Sequence, residues 1–180
     1  MSDLQCPATL LIARHGDAED TVAGVLSDDG GRLTVKGHAQ VRHLVEQVRL
    51  RRIAAVYSSR MERAVESAGL AASELGLRSI AVDGLQEFAV GELGHVVVKR
   101  FKEALEAIAD NHRGETVLVF THGGAMSLVI PRLAVNRRNG LEAQRFLPNC
   151  IPVEVEVDAD GWRVVTWPDA TDQVVHHVTS

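Results

Sequence analysis

The stretch Ala8-Thr9-Leu10-Leu11-Ile12-Ala13-Arg14-His15-Gly16 decides how this chain folds. Its first six residues form a short, mostly apolar run, as expected of a strand that is buried on both faces of a parallel sheet. Runs of the same kind occupy residues 53–57 and 116–120. We therefore predict three buried strands, the first of which ends where the polar residues Arg14 and His15 begin a loop.

Amphipathic helices are predicted between these strands. Apolar residues recur at the i, i+3, i+4, i+7 spacing of a helix within residues 41–48, 61–75 and 97–108. Strands that alternate with such helices predict an α/β fold, a three-layer α/β/α sandwich around a mostly parallel sheet. Residues 151–157 and 162–167 flank a turn and predict an antiparallel hairpin at one edge of that sheet.

The composition is that of an ordinary globular protein. The 180 residues predict a single domain over residues 1–180, with a core over about 8–168 and a loosely ordered tail over 169–180. A net charge of -5 provides no positive field for nucleic acid or an anionic membrane. There is no apolar run of the roughly 20 residues that a membrane span requires, and no basic leader precedes the first strand. We therefore expect a cytoplasmic protein without nucleic-acid or membrane partners.

Two arginines and two histidines follow the predicted strands. Ligands of open α/β sheets bind beyond the carboxyl ends of the strands, so Arg14, Ser58 and His122, which fall at such ends, are expected to meet at one crevice. A guanidinium grips two phosphate oxygens at once and stays charged, which makes Arg14 and Arg63 candidate clamps for a phosphoryl group. A neutral histidine is nucleophilic near pH 7, and His15 is the candidate nucleophile. His122 is expected to donate to phosphoryl oxygens as charge builds on them.

Local backbone signals support an anion site in the same region. Ser59 followed by Glu62 fits a capping box that would begin a helix near Arg60, and a helix N-terminus favours a bound anion. Three glycines would let the backbone pass close to a ligand: Gly16, Gly123 and Gly124.

These motifs, taken in order, resemble the histidine phosphatase superfamily, also called the phosphoglycerate mutase-like proteins. Arg14-His15-Gly16 resembles the family signature that carries the phosphorylated histidine, and residues 58–64 are similar to the segment that provides the second arginine. Other family-like segments extend the resemblance from about residue 9 to 168: Leu33-Thr34-Val35-Lys36-Gly37, Leu85-Gln86-Glu87, Thr121-His122-Gly123-Gly124, Pro148-Asn149-Cys150 and Gly161-Trp162.

The resemblance implies a two-step mechanism that uses no metal and no organic cofactor. His15 would attack phosphorus and form a phosphohistidine while Glu87 protonates the departing oxygen. Glu87 would then deprotonate the water that releases phosphate. The residues implied to bind the phosphoryl group are Arg14, Arg63, His122 and Gly123.

The chain also departs from the family pattern. Only 34 residues separate Glu87 from His122, where mutases and many metabolite phosphatases insert a longer lid. We therefore expect a short form with a minimal lid and an open pocket, which favours hydrolysis because a mutase must shield its phosphoenzyme from water. Thr21 stands where mutases of the family tend to place an asparagine, and Glu66-Ser67 stands where many relatives carry Gln-Thr.

The leading prediction is a metal-independent phosphatase that acts on phosphate monoesters. Phosphoglycerate mutase-type transfer and protein phosphohistidine phosphatase activity are the alternatives. The opening Arg14-His15-Gly16-Asp17-Ala18 is similar to small phosphatases of the latter kind, which tend to lack the acid, so Glu87 favours esters. A non-catalytic module that binds a phosphorylated ligand is the least favoured prediction.

The expected partner is a small phosphorylated metabolite, with a phosphoprotein as the alternative. Sugar phosphates, phosphoglycerate derivatives and nucleotides all fit the pattern. Specificity would come from loops within residues 21–31 and 88–95, and His95 fits a pocket rim and an ordinary surface equally well. The sequence leaves the oligomeric state open.

Overall fold

The centre of the protein is a six-stranded sheet. A computed structural model describes residues 6–19, 21–22, 25–26, 31–136 and 147–168. The strands are β1 (Ala8–Arg14), β2 (Thr21–Val22), β3 (Val25–Leu26), β4 (Ile53–Ser58), β5 (Ser79–Ala81), β6 (Thr116–Thr121), β7 (Val153–Asp158) and β8 (Gly161–Thr166). The α-helices of the described residues are α1 (Val35–Val48), α2 (Glu62–Leu75), α3 (Gly94–Asn111) and α4 (Gly123–Leu133).

The sheet has the order β5-β4-β6-β1-β7-β8. Strands β5, β4, β6 and β1 are parallel, whereas β7 is antiparallel to both of its neighbours. Strands β7 and β8 form the predicted hairpin at one edge, and the short strands β2 and β3 pair with each other outside this sheet. The predicted α/β sandwich with a mostly parallel sheet and an antiparallel edge is confirmed.

Helices cover both faces of the sheet, which explains why the strand sequences are apolar without alternation. Leu10 and Ile12 pack into the core on the side of α3 and α4. Leu11 and Ala13, which point to the opposite face, pack into the core on the side of α1 and α2. Burial on two sides holds β1 at the centre of the sheet and fixes the position of the residues that follow it.

The first turn of α1 holds the loop that follows β1. Thr34 caps the helix, because its hydroxyl accepts a hydrogen bond from Gly37 N–H at 3.1 Å. The Thr34 N–H also donates to the Asp17 carbonyl at 3.0 Å. A Cβ on Gly37 would lie 2.0 Å from that carbonyl oxygen, and a Cβ on Gly16 would lie 2.8 Å from the Gly37 carbonyl oxygen. Side chains at positions 16 and 37 would therefore push the loop away from the helix.

The predicted capping box at the start of α2 is wrong. The helix begins at Glu62, its N-cap residue is Met61, and no side-chain hydrogen bond caps it. The Ser59 hydroxyl lies 2.7 Å from Nε2 of His122 instead. The hydroxyl oxygen still accepts a long local hydrogen bond from Met61 N–H at 3.4 Å, but its short contact is the tertiary one to His122.

Several expectations concern residues outside the described part of the chain. The tail over residues 169–180 is one of them, and the side chains of residues 20–30, with Thr21 among them, are another. None of the helices in the described ranges is long and apolar enough to cross a membrane.

The close approach of the loop to α1 predicts the effect of a single methyl group. Gly37→Ala is expected to lower the free energy of unfolding by about 1–3 kcal/mol, because the added Cβ meets a backbone carbonyl that cannot rotate away. The control is Gly69→Ala on the exposed side of α2, where a Cβ meets nothing within 4 Å. It should raise the free energy of unfolding by roughly 0.5–1 kcal/mol, since alanine favours helix over glycine. Urea denaturation measures the free energy of unfolding of both variants. An equal increase for Gly37→Ala and Gly69→Ala would refute the steric argument.

Candidate active site

Three parallel strands bring the candidate site residues to one edge of the sheet. His15 follows β1, Ser59 follows β4 and His122 follows β6. Backbone hydrogen bonding continues past the strand ends, since His15 N–H donates to the Thr121 carbonyl at 2.9 Å and Ser59 N–H donates to the Phe120 carbonyl at 3.0 Å. The residues therefore meet beyond the carboxyl ends of the strands, as parallel topology requires.

His15 is buried, and both of its ring nitrogens are hydrogen bonded. Its Nδ1 lies 2.7 Å from the Gly16 carbonyl oxygen, and its Nε2 lies 2.9 Å from Nε of Arg63. A carbonyl oxygen only accepts and a guanidinium only donates, so Nδ1 carries the proton and Nε2 presents its lone pair. The surroundings of His15 thus select one neutral tautomer.

The electrostatic environment keeps this imidazole uncharged. Burial lowers the pKa of His15 from 6.5 to about 3. The hydrogen bond to the Gly16 carbonyl opposes the shift, whereas the positive charges of Arg63 and Arg14 reinforce it. The ring is therefore neutral near pH 7, with a lone pair on Nε2.

His122 is fully buried beside His15, with 5.2 Å between the two ring centroids. Its Nε2 bonds the Ser59 hydroxyl, while its Nδ1 has no hydrogen-bond partner among the described residues. Burial lowers the pKa of His122 to about 2, and the neighbouring His15 and Arg63 act in the same direction. A buried polar nitrogen without a partner is costly, so a group bound here that supplies one would be favoured.

Arg14 lies at the end of β1, against the first residue of α4. A Cβ on Gly123 would lie 3.1 Å from Cδ of Arg14, so glycine at this position leaves room for the arginine side chain. The backbone of the same strand end is held by the segment before β7. The Asn149 side-chain amide donates to the His15 carbonyl at 2.6 Å, and Cys150 N–H donates to the Arg14 carbonyl at 2.9 Å.

Glu87 lies at the N-terminus of α4. One carboxylate oxygen, Oε2, accepts a hydrogen bond from Gly124 N–H at 2.9 Å, and the other, Oε1, accepts from Phe88 N–H at 3.1 Å. A Cβ on Gly124 would lie only 2.7 Å from Oε1, so the carboxylate could not approach a larger residue in this way. Since His122 is the N-cap residue of α4, the carboxylate and the imidazole belong to the same helix start.

The structure brings together every residue that the sequence predicted for the site. His15 bonds Arg63 and lies beside His122, Arg14 contacts Gly123, and Glu87 bonds the next residue of α4. His95 is exposed in the first turn of α3. Across the described ranges, no group of three or more histidine, cysteine, aspartate or glutamate side chains is placed to hold a metal ion.

Three supporting residues were not predicted in their observed roles. Ser59 was assigned to a helix cap, and Asn149 was noted as family-like without a role. The Ser67 hydroxyl accepts from Gly16 N–H at 3.0 Å and donates to the Arg63 carbonyl at 2.7 Å, which ties the His15 loop to α2. Most of these contacts join residues that are far apart in the sequence, and the one local bond, from Ser67 to Arg63, shows its role only once the His15 loop is in place.

The parallel strands of this α/β sheet end at two buried histidines and two half-buried arginines, residue types that suit a bound phosphoryl group. The chain belongs to the histidine phosphatase superfamily (branch 1), whose family model matches residues 10–96 and 89–170. The resemblance of the sequence motifs to that superfamily is confirmed.

Individual relatives agree with this membership. Phosphoglycerate mutase-like protein 4 of Arabidopsis thaliana is 24% identical, over 91% of this chain and 86% of that protein. YhfR of Bacillus stearothermophilus superposes with a TM-score of 0.76 at 22% identity, covering 90% of this chain and 97% of that one. A mycobacterial glucosyl-3-phosphoglycerate phosphatase superposes with a TM-score of 0.74 at 17% identity, covering 90% and 99% of the two chains. At these identities the two structural likenesses establish the fold.

The depressed histidine pKa values predict how stability depends on pH. An unfolded imidazole takes up its proton near pH 6.5, whereas the folded protein takes up the same protons only near pH 3 at His15 and pH 2 at His122. The unfolded chain therefore binds more protons below pH 6.5, and stability is lost as the pH falls. His122→Gln should make this loss shallower by up to about 1.4 kcal/mol per pH unit. Urea unfolding of the parent protein and of His122→Gln at several pH values between about 5 and 8 tests this prediction. It would be contradicted if the free energy of unfolding fell equally steeply with pH in both proteins.

Proposed function

We propose that this protein hydrolyses a phosphate monoester through a phosphohistidine formed on His15. The observation that carries the proposal is the single neutral tautomer of His15, with its proton held by the Gly16 carbonyl and its Nε2 lone pair directed at Arg63. This is the state that a histidine nucleophile needs, since attack uses the lone pair and the second nitrogen must be held by an acceptor. Membership of the histidine phosphatase superfamily supports the same reaction class.

In the proposed first step, Nε2 of His15 forms a bond to phosphorus while the bond from phosphorus to the ester oxygen breaks. Arg63 would exchange its hydrogen bond to Nε2 for bonds to the phosphoryl oxygens, and Arg14 would supply the second guanidinium. Nδ1 of His122, which has no hydrogen-bond partner among the described residues, supports a third contact. When the Ser59 hydroxyl donates to Nε2, Nδ1 would carry a proton that a phosphoryl oxygen accepts.

Glu87 is the proposed proton donor and acceptor. Its protonated carboxyl group would give a proton to the departing oxygen, so that the alcohol leaves neutral. In the second step the carboxylate would take a proton from water as the water oxygen bonds to phosphorus and the phosphorus–nitrogen bond breaks. An ester and water then become an alcohol and phosphate, and both His15 and Glu87 return to their starting states. The hydrogen bonds from Gly124 and Phe88 hold the Glu87 carboxylate at the start of α4, next to His122, and it is this position that supports the role.

The segment between Glu87 and His122 favours hydrolysis over mutase transfer. Residues 88–121 are all described, and they hold a short loop, α3, a turn and β6, with no further insertion in that range. A phosphoenzyme without a cover from this segment is less shielded from water. Because Glu87 serves an oxygen leaving group, we propose a phosphate ester, and a small phosphorylated metabolite in particular, as the substrate.

Phosphate release provides the direct test. The intact protein is expected to hydrolyse at least one ester from a panel of sugar phosphates, phosphoglycerates, nucleotides and aryl phosphates without added metal. His15→Ala should lose more than about 10³-fold of this activity, because the nucleophile is gone. Reactions with an ester radiolabelled on its phosphoryl group, quenched in alkaline detergent, should yield a phosphoenzyme that is stable to alkali and labile to acid with the parent protein, and none with the variant.

Two results would overturn the proposal. Interconversion of phosphoglycerate isomers that outpaces phosphate release would favour a mutase. Negligible turnover of the whole panel by correctly folded protein would favour a phosphoprotein substrate or a binding role.

The role of Glu87 predicts a dependence on the leaving group. The ratio kcat/KM reports formation of the phosphoenzyme, which is the step in which the ester oxygen departs. For Glu87→Gln, kcat/KM should fall by about 10²-fold or more with benzyl phosphate, whose alkoxide needs a proton. With p-nitrophenyl phosphate, whose phenolate departs without one, the fall should be less than about 5-fold. Equal losses with the two esters would show that Glu87 is not the proton donor.

A further inference from the structure

Arg100 of α3 is bonded to the segment that carries Glu87. Its side chain donates to the backbone carbonyl oxygens of Gly84 at 2.8 Å, Gln86 at 2.7 Å and Glu87 at 3.2 Å. It also forms a two-point ion pair with Glu92, with distances of 2.8 and 2.9 Å. These five hydrogen bonds use all five N–H donors of the guanidinium. One side chain therefore binds the carbonyl oxygens of two residues before Glu87, Gly84 and Gln86, and of Glu87 itself.

This segment has little regular structure of its own. Glu87 lies between the end of β5 at Ala81 and the start of α3 at Gly94, where no helix or strand sets the backbone. The chain is drawn tightly against α3, because a Cβ on Gly84 would lie 2.7 Å from the Arg100 carbonyl oxygen. Backbone carbonyls in an irregular segment need partners from elsewhere in the fold, and Arg100 supplies them.

The partner of Arg100 extends the same support to the far end of the segment. One carboxylate oxygen of Glu92 accepts from Arg100 and also from the Ala89 N–H at 3.1 Å. The Arg100 hydrogen bonds lower the pKa of Glu92, so the carboxylate stays charged near pH 7. Arg100 and Glu92 thus hold the backbone before and after Glu87, while neither side chain bonds the Glu87 carboxylate.

We propose that Arg100 is a positioning residue for Glu87, acting through the backbone of residues 84–92 to hold the carboxyl group where the ester oxygen departs. The inference rests on the proposed function, in which Glu87 donates the proton. A proton donor must lie within hydrogen-bond reach of its target, and a displacement of about 1 Å can cost on the order of 10²-fold in rate. Arg100, whose five N–H donors are all used in hydrogen bonds, would keep Glu87 in place although its segment is irregular.

The decisive variant is Arg100→Met, which keeps much of the length of the side chain and removes every donor. Its kcat/KM should fall by about 10- to 100-fold with benzyl phosphate and by less than about 3-fold with p-nitrophenyl phosphate, since only the first ester needs the proton. Arg100→Lys keeps the charge with three donors in place of the planar fork, so it should restore only part of the loss.

Arg113 provides a matched control two residues beyond the C-terminal end of α3. It is similarly buried, with its side chain 17% exposed against 22% for Arg100. It pairs with Asp110 and donates to the Val157 carbonyl at 3.0 Å, far from Glu87 in the fold. Arg113→Met should lower the urea midpoint as Arg100→Met does, yet change kcat/KM for the two esters by the same factor.

A double variant separates positioning from general damage. In Glu87→Gln, where no proton can be delivered, adding Arg100→Met should produce no further selective loss with benzyl phosphate. If Arg100→Met does not fold, Glu92→Gln tests the same support, because it removes the ion pair and leaves the three carbonyl contacts. It should show a smaller loss of the same selective kind.

The possible failures are distinguishable. If the parent protein hydrolyses no ester of the panel, benzyl phosphate and p-nitrophenyl phosphate included, the proposed function fails and this inference falls with it. If Glu87→Gln shows the selective loss but Arg100→Met slows both esters equally, the proposed function stands and the positioning role is refuted. A selective loss in the double variant beyond that of Glu87→Gln alone would likewise refute it, since Arg100 would then act on the leaving group by another route.

Discussion

The hydrogen bond from Arg63 to an uncharged His15 is the interaction on which the site depends. A permanent cation lies 2.9 Å from the histidine nitrogen, an arrangement that is stable only while that nitrogen has no proton. Burial supplies this condition, because desolvation disfavours the imidazolium and lowers the pKa to about 3. His15 is buried between the Gly16 carbonyl, which can only accept a hydrogen bond, and Arg63, which can only donate one. This placement explains why its ring is neutral, why Nδ1 carries the proton and why Nε2 has a lone pair available.

Space at the site is created by residues that lack a Cβ. Gly16 and Gly37 let the loop after β1 touch the first turn of α1, and Gly123 and Gly124 let Arg14 and Glu87 touch the first turn of α4. Each contact brings a polar group against backbone where a methyl group would intervene. The glycines of the motifs thus act mainly by permitting protein groups to approach one another.

The site is assembled at a cost in stability. Two buried histidines remain unprotonated, and one nitrogen of His122 lacks a hydrogen bond in the described structure. The unpartnered nitrogen is unfavourable for the protein alone, and a bound group that supplies a hydrogen bond would remove this cost. The two neutral histidines lower the stability only below about pH 6.5, where the unfolded imidazoles are protonated. The surrounding contacts from Ser59, Ser67 and Asn149 offset part of this cost by fixing the backbone and rings around the unsatisfied atoms.

Local sequence determined a large part of this protein. The apolar run of residues 8–13 specified a strand buried on two faces, and the parallel arrangement that follows from alternating strands and helices placed Arg14, His15 and His122 at one edge. Only the tertiary structure decided the tautomer of His15, the partner of Ser59 and the support of Glu87 by Arg100. Ser59 shows why: the local pattern predicts a hydrogen bond to a nearby helix N–H, whereas the short contact of the hydroxyl in the folded chain is to His122, a fully buried residue 63 positions away.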